Sequence, residues 1–167
     1  MASVGGIDLG GTKIQAAIVD DDAQVLGSAR RPTPTSGGPA DVALQMAAAM
    51  RDAASEASVE LSALEGVGVG SPGTIENGTV RSARNLPGWE GEFPLADTLQ
   101  TALGCEVRVG NDVQVATDAE FHLGAGRPYE SILGVFWGTG VGGGLTLRPG
   151  QQRVDLSGRP QFEDGDF

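Results

Sequence analysis

Near the amino terminus, Asp8, Gly10, Gly11, Thr12 and Lys13 fall within the stretch IDLGGTKIQAAIVD. Glycines have no Cβ, so backbone N–H groups there can come close to phosphate oxygens, and Thr12 adds a hydroxyl. The spacing is not that of a P-loop, G-x-x-x-x-G-K-[ST] before a helix, because Thr12 precedes Lys13. Nor is it the G-x-G-x-x-G that opens a helix in dinucleotide-binding domains. The residues that follow, KIQAAIVD, read as a strand, so the glycines fall in the tight turn of a β-hairpin with Asp8 ending its first strand. A carboxylate beside phosphate repels it unless Mg²⁺ lies between. A second glycine-rich turn, GTGVGGG, holds Gly138, Thr139, Gly140, Val141, Gly142, Gly143 and Gly144. Apolar strands flank it on both sides, which argues against a flexible linker. Ser71-Pro72-Gly73 closes an apolar run, and Asn111-Asp112 stands between a strand and a helix, where either residue can cap the helix.

These stretches need elements to hold them. The opening reads as three strands, Val4–Leu9, Ile14–Val19 and Gln24–Arg31, followed by a Pro/Gly loop, RPTPTSGGP. Pro39 suits a first helical turn. Val42, Met46, Met50, Ala53 and Ala57 then recur at helical spacing, predicting an amphipathic helix of about five turns. LEGVGVGSPG is a buried strand and turn. Asn77-Gly78, between β-prone pairs, signals a hairpin. FPLADTLQTALG is a short helix closed by Gly104. EVRVGND is a strand, DVQVATDAEFHLGAG a helix, and SILGVFWGTGVGGGLTL two strands about a turn. The order predicts a mixed α/β lobe with helices packed on its sheet.

Bulk composition narrows the function. The chain has 167 residues, room for one well-buried domain or one domain and part of another. Its formal charge of −11 argues against general nucleic-acid binding. Lys13 is the single lysine, in keeping with a general preference for arginine, and Cys105 the single cysteine. No intrachain disulfide or multi-cysteine zinc site can form among these residues. The first residues lack a basic segment followed by an apolar core, and no apolar run approaches ~20 residues, so a cytoplasmic location is expected. Cys105 and Trp89 read as packed residues. His122, near a helix C-terminus where a cation is favoured, reads as structural.

Taken together, DLGGTK, SPG within GVGVGSPGTIENG, NLPGW followed by VRVGND, and GTGVGGGL resemble the ROK family of sugar kinases and repressors, bacterial glucokinases in particular. The resemblance spans Gly5 to about Leu145. It implies the actin-like ATPase/ribonuclease H-like fold of the hexokinase type: two α/β lobes closing over a cleft, with nucleotide held between a hairpin from each. On this resemblance residues 1–126 form the first lobe, 127–147 the start of the second with its phosphate hairpin, and 148–167 a polar tail expected to be loop or disordered.

The same resemblance implies roles. Asp112 is the general base that takes the proton of the sugar hydroxyl, and Gly73, Asn85, Asn111 and Asp112 line the hexose site. Asp8, Gly10, Gly11, Thr12, Lys13, Gly138, Thr139, Gly140, Val141, Gly142 and Gly143 hold the nucleotide, with Asp8 carrying Mg²⁺ through water. The implied activity is ATP-dependent phosphorylation of a hexose, glucose at its 6-hydroxyl. A sugar-sensing regulator of the same family is the alternative, but those usually carry a helix-turn-helix ahead of DLGGT. A non-catalytic sugar-binding remnant is a third reading. The family's later glutamate–histidine sugar motif and its cysteine-rich zinc motif have no counterpart here. The structural zinc is therefore not expected, an incomplete cleft is, and unpaired strand edges would favour homo-oligomers.

Overall fold

The computed structural model describes residues 2–137, 141–148, 153–154 and 160–161. The chain forms two compact units, Met1–Asp112 and Val113–Phe167.

In the first unit a five-stranded mixed sheet has the order β3-β2-β1-β4-β8. Its strands are β1 (Ser3–Leu9), β2 (Lys13–Asp20), β3 (Val25–Pro32), β4 (Val67–Ser71) and β8 (Val107–Asn111). The first three run antiparallel as a meander, whereas β4 lies parallel to β1 and β8 parallel to β4. Strict alternation sets the faces: Ser3, Gly5, Ile7 and Leu9 of β1 are buried, while Val4, Gly6 and Asp8 are exposed. The mixed α/β sheet with flanking helices is the architecture that the resemblance implies.

Helix α1 (Pro39–Ala57) covers the buried face. Pro39 occupies its first turn, and the Asp41 carboxylate accepts the Gly38 N–H at 3.1 Å, which satisfies one otherwise orphaned donor. Val42, Met46, Ala47, Met50, Ala53 and Ala54 form its buried stripe. Fully burying Val42, Met46 and Met50 stabilises by about 1.5–3 kcal/mol each. The helix lies so close to β3 that a Cβ on Gly27 would sit 2.6 Å from the Ala53 carbonyl, so glycine is needed there. Helix α2 (Leu95–Leu103) buries Leu95, Leu99 and Leu103 and ends at Gly104 with φ 76°.

Between β4 and α2 lies a small sheet of β5 (Thr74–Glu76), β6 (Thr79–Arg81) and β7 (Glu92–Phe93). Asn77 (φ 48°) and Gly78 (φ 74°) join β5 to β6, the paired positive φ values of a type I′ turn. Trp89 is buried, donates Nε1–H to the Val80 carbonyl at 3.4 Å and meets Phe93 edge to face. It is a packed loop residue, in line with the sequence reading.

Helix α3 (Asp112–His122) belongs to the second unit from Val113 onward, and there it packs with the antiparallel hairpin of β9 (Ser131–Trp137) and β10 (Val141–Leu147). Gln114 of the helix donates to the Leu145 carbonyl and accepts the Leu145 N–H, both at 3.2 Å, as a neighbouring strand would. Its Nε2 also reaches Asp118 and Thr146, and the Thr146 hydroxyl donates to Asp118. The other face of the hairpin leaves Leu133, Val135, Trp137, Val141 and Leu145 exposed. Strands β11 (Arg153–Val154) and β12 (Pro160–Gln161) pair antiparallel. Among the described residues no helix is long and apolar enough to cross a membrane.

Candidate active site

Within the first unit, the sheet brings the chemistry-bearing residues to one edge of its exposed face. Strand β1 delivers Asp8 there, opposite Gly70 of β4, and Gly70 stands opposite Gly110 of β8. Two residues beyond Gly110, β8 gives way directly to α3, whose first residue is Asp112. A Cβ on Gly70 would lie 3.5 Å from the Asp112 Cα and 3.8 Å from its Cβ, in ordinary contact. The two carboxyl-bearing residues therefore flank a position without a side chain. The Asp8 carboxyl is held above its ordinary value of 3.8, chiefly by lost hydration, next by the charge of Asp112, and against the pull of Lys13.

Gly10, Gly11 and Thr12 form the turn from β1 to β2, and Lys13 starts β2. The turn is closed by the Gly10 N–H donating to the Lys13 carbonyl at 2.9 Å. Gly11 and Thr12 are exposed, as a ligand-binding turn requires.

The residues expected to meet a hexose fall into two contacts. Asn111, last in β8 and paired with Ser71, donates its Nδ2–H to the Gly73 carbonyl at 3.2 Å. Gly73 has φ 101°, and a Cβ there would meet the Arg81 carbonyl at 2.6 Å, so only glycine suits the turn. Asn85 is exposed in the β6–β7 loop and lies against the phosphate turn: a Cβ on Gly11 would sit 3.2 Å from the Asn85 carbonyl. Beside it is a cavity of about 390 Å³ bounded by Ser82, Arg84, Leu86, Gly88, Trp89 and Glu90.

The second glycine turn belongs to the second unit. Gly138, Thr139 and Gly140 lie outside the described residues; Val141, Gly142 and Gly143 open β10. Gly142 and Gly144 face α3, where a Cβ would meet Val113 Cγ2 at 2.7 Å and Thr117 Cβ at 2.9 Å respectively. Glycine at these two positions thus lets the helix approach the hairpin. Gly143 has only the Gly134 carbonyl nearby, at 3.6 Å, and keeps its room.

Sequence reasoning missed Thr33, a buried residue in what reads as a Pro/Gly loop, whose hydroxyl holds the first glycine turn at 2.7 Å. Only its place between Pro32 and Pro34 hinted at a fixed backbone. His122 ends α3 and meets Phe121 edge to face at 5.2 Å, and Cys105 is half-buried at the margin of the core, its thiol pushed up by burial.

Among the described residues no three of His, Cys, Asp and Glu cluster as a metal centre. Mg²⁺ does not need such a cage, since it binds through one or two carboxylates, water and substrate phosphates. An exposed carboxylate beside an exposed glycine turn, with a second carboxylate across a glycine, fits that requirement.

The ROK family model matches residues 4–150. Glucokinase from Thermotoga maritima is 35% identical over 142 residues, covering 84% of this chain and 43% of the relative. N-acetyl-D-glucosamine kinase from Yersinia pestis is 37% identical over 149 residues, covering 85% and 54%. The ROK family glucokinase from Streptomyces griseus, solved in complex with glucose and AMPPNP, superposes with a TM-score of 0.77 at 31% identity, over 90% of this chain and 47% of that one. The chain spans about half the length of the curated relatives it matches.

Proposed function

The chain belongs to the ROK family, in which its relatives are sugar kinases, and from that premise we propose an ATP-dependent hexose kinase that transfers the γ-phosphoryl group to the 6-hydroxyl of glucose. The observation that carries this reading is the pair Asp8 and Asp112 flanking Gly70. Phosphoryl transfer through a loose transition state demands little covalent help, so positioning and charge do most of the work. In the proposed reaction the Asp112 carboxylate orients the hexose hydroxyl and accepts its proton as the oxygen attacks phosphorus. Asn85 and Asn111 suit a neutral polyol because an amide both donates and accepts, and the Gly73 carbonyl anchors Asn111. The Gly11 and Thr12 N–H groups approach phosphate oxygens, the Gly10 N–H being held by the Lys13 carbonyl, and Lys13 contributes positive charge.

Asp8 is the proposed Mg²⁺ holder, and the ion when bound would neutralise phosphate charge that Asp8 and Asp112 otherwise repel. Gly138, Thr139, Gly140, Val141, Gly142 and Gly143 are proposed as the second nucleotide hairpin. Residues 1–126 are proposed as the first lobe and 127–147 as the opening of the second. The reading carries with it a cytoplasmic place in carbohydrate metabolism, with hexose and nucleotide as partners and no role for nucleic acid.

The test is a coupled assay of ADP release with MgATP and either glucose or N-acetylglucosamine. Glucose-dependent turnover supports the reading, preference for the acetamido sugar would reassign the substrate, and failure of the folded protein to turn over any hexose would overturn it.

A further inference from the structure

Thr33 follows β3 and is only 3% exposed, yet it is polar on both its side chain and its backbone. Its hydroxyl donates to the Gly10 carbonyl at 2.7 Å, and its N–H donates to the Thr12 carbonyl at 3.1 Å. Both acceptors belong to the glycine turn between β1 and β2. We propose that Thr33 is a positioning residue for phosphate binding, fixing the face that the Gly10–Thr12 turn presents to the nucleotide; this rests on the kinase reading above.

The reason is peptide geometry. In a trans peptide the C=O of one residue and the N–H of the next point in opposite directions. A Gly10 carbonyl drawn inward to Thr33 turns the Gly11 N–H outward, and a Thr12 carbonyl drawn inward does the same for the Lys13 N–H. Glycines alone would leave this turn free to rotate those peptides, since glycine has several backbone wells to choose from. Thr33 selects one of them before ligand arrives, which lowers the ordering cost of binding. The clamp is itself preset: Pro34 biases the preceding Thr33 toward extended backbone, and Pro32 has its own φ fixed. The hydroxyl, not the bulk of the side chain, is the operative group, so valine keeps the packing and removes the donor.

The experiment compares the parent chain with Thr33→Val and Thr33→Ser, measuring affinity for Mg·AMPPNP and for glucose by calorimetry, together with Tm. The expected result is nucleotide affinity weakened about fivefold to tenfold in Thr33→Val, the range of one lost hydrogen bond. Glucose affinity should hold, and Thr33→Ser should recover nucleotide binding. Valine binding nucleotide as the parent does, or both ligands weakening together, or serine failing to recover, would overturn the positioning role while leaving the kinase reading intact. A folded parent that binds no nucleotide would overturn both.

Discussion

Asp8 and Asp112 come from opposite ends of the first unit's sequence and meet across Gly70, which offers no side chain to part them. Asp8 stands in register with Gly70, and the Asp112 Cα lies 3.5 Å from where a Gly70 Cβ would be. The parallel pairing of β1, β4 and β8 brings this about, because all three strands deliver their C-terminal ends to the same edge. Open α/β sheets bind ligands at that edge.

If Asp112 is the base, Asp112→Asn should separate chemistry from binding. Asparagine keeps the size and the hydrogen-bonding reach but cannot take the proton at neutral pH. Transfer should fall by roughly 10²–10⁴-fold while glucose affinity stays within about twofold. Initial rates and equilibrium titration on one preparation check it, and a rate close to the parent's would remove Asp112 from the role.

Gly70→Ala tests the gap itself. Its methyl group would make only ordinary contacts, 3.5 and 3.8 Å to Asp112 and 4.0 Å to the Ile7 carbonyl, so the fold should survive with little change in Tm. On the proposed reaction, the methyl would nonetheless crowd the position that Asp8 and Asp112 flank. Turnover should drop roughly tenfold to a hundredfold, as small misplacements in an active site do. Unchanged turnover would mean that the gap is not where the reaction happens.

The raised Asp8 carboxyl gives a pH signature. With its folded-state value above 3.8, Asp8 favours the folded chain below that value and loses the contribution as pH rises through the folded value. Asp8→Asn abolishes the loss. The variant should match the parent near pH 3.5 and gain in Tm over it from there toward pH 7, with the gain shrinking in high salt as the Asp112 repulsion is screened. If Asp8 holds Mg²⁺ as proposed, the variant should also be stabilised less by Mg²⁺ with nucleotide than the parent. Thermal melts across pH decide the sign; an advantage that grows toward acid would contradict it.

Much of this was legible in the sequence for stated physical reasons. Alternation along β1, the 3.6-residue stripe of α1, the Asn77-Gly78 turn and the closing Gly104 each come from local rules, and each is present. Strand β7 escaped because two residues show no period. A glycine's purpose is not local either: Gly142 and Gly144 make room for α3, Gly27 for α1, and nothing in GTGVGGG or VLGSA distinguishes a packing glycine from a ligand glycine. Thr33 was hidden for the same reason, since its partners Gly10 and Thr12 lie two strands earlier in the chain.

The contact between Gly11 and Asn85 leads to an outcome that DLGGTK alone would not suggest. A methyl on Gly11 would sit 3.2 Å from the Asn85 carbonyl, tighter than most such contacts, and 3.5 Å from its Cβ, an ordinary one. Asn85 itself is exposed, although Ala83 and Leu86 beside it are buried, and it needs to give by only a few tenths of an ångström, so Gly11→Ala should fold. The yielding moves Asn85, one of the proposed hexose contacts. A change in the phosphate turn should therefore raise the KM for glucose about threefold to tenfold, the scale of one weakened hydrogen bond. Thr12→Ala, beside it in the same turn, should act mainly on the KM for ATP. Steady-state kinetics with each substrate varied in turn separates the two variants. If Gly11→Ala altered only the ATP constant, the turn and the sugar loop would be independent despite their contact.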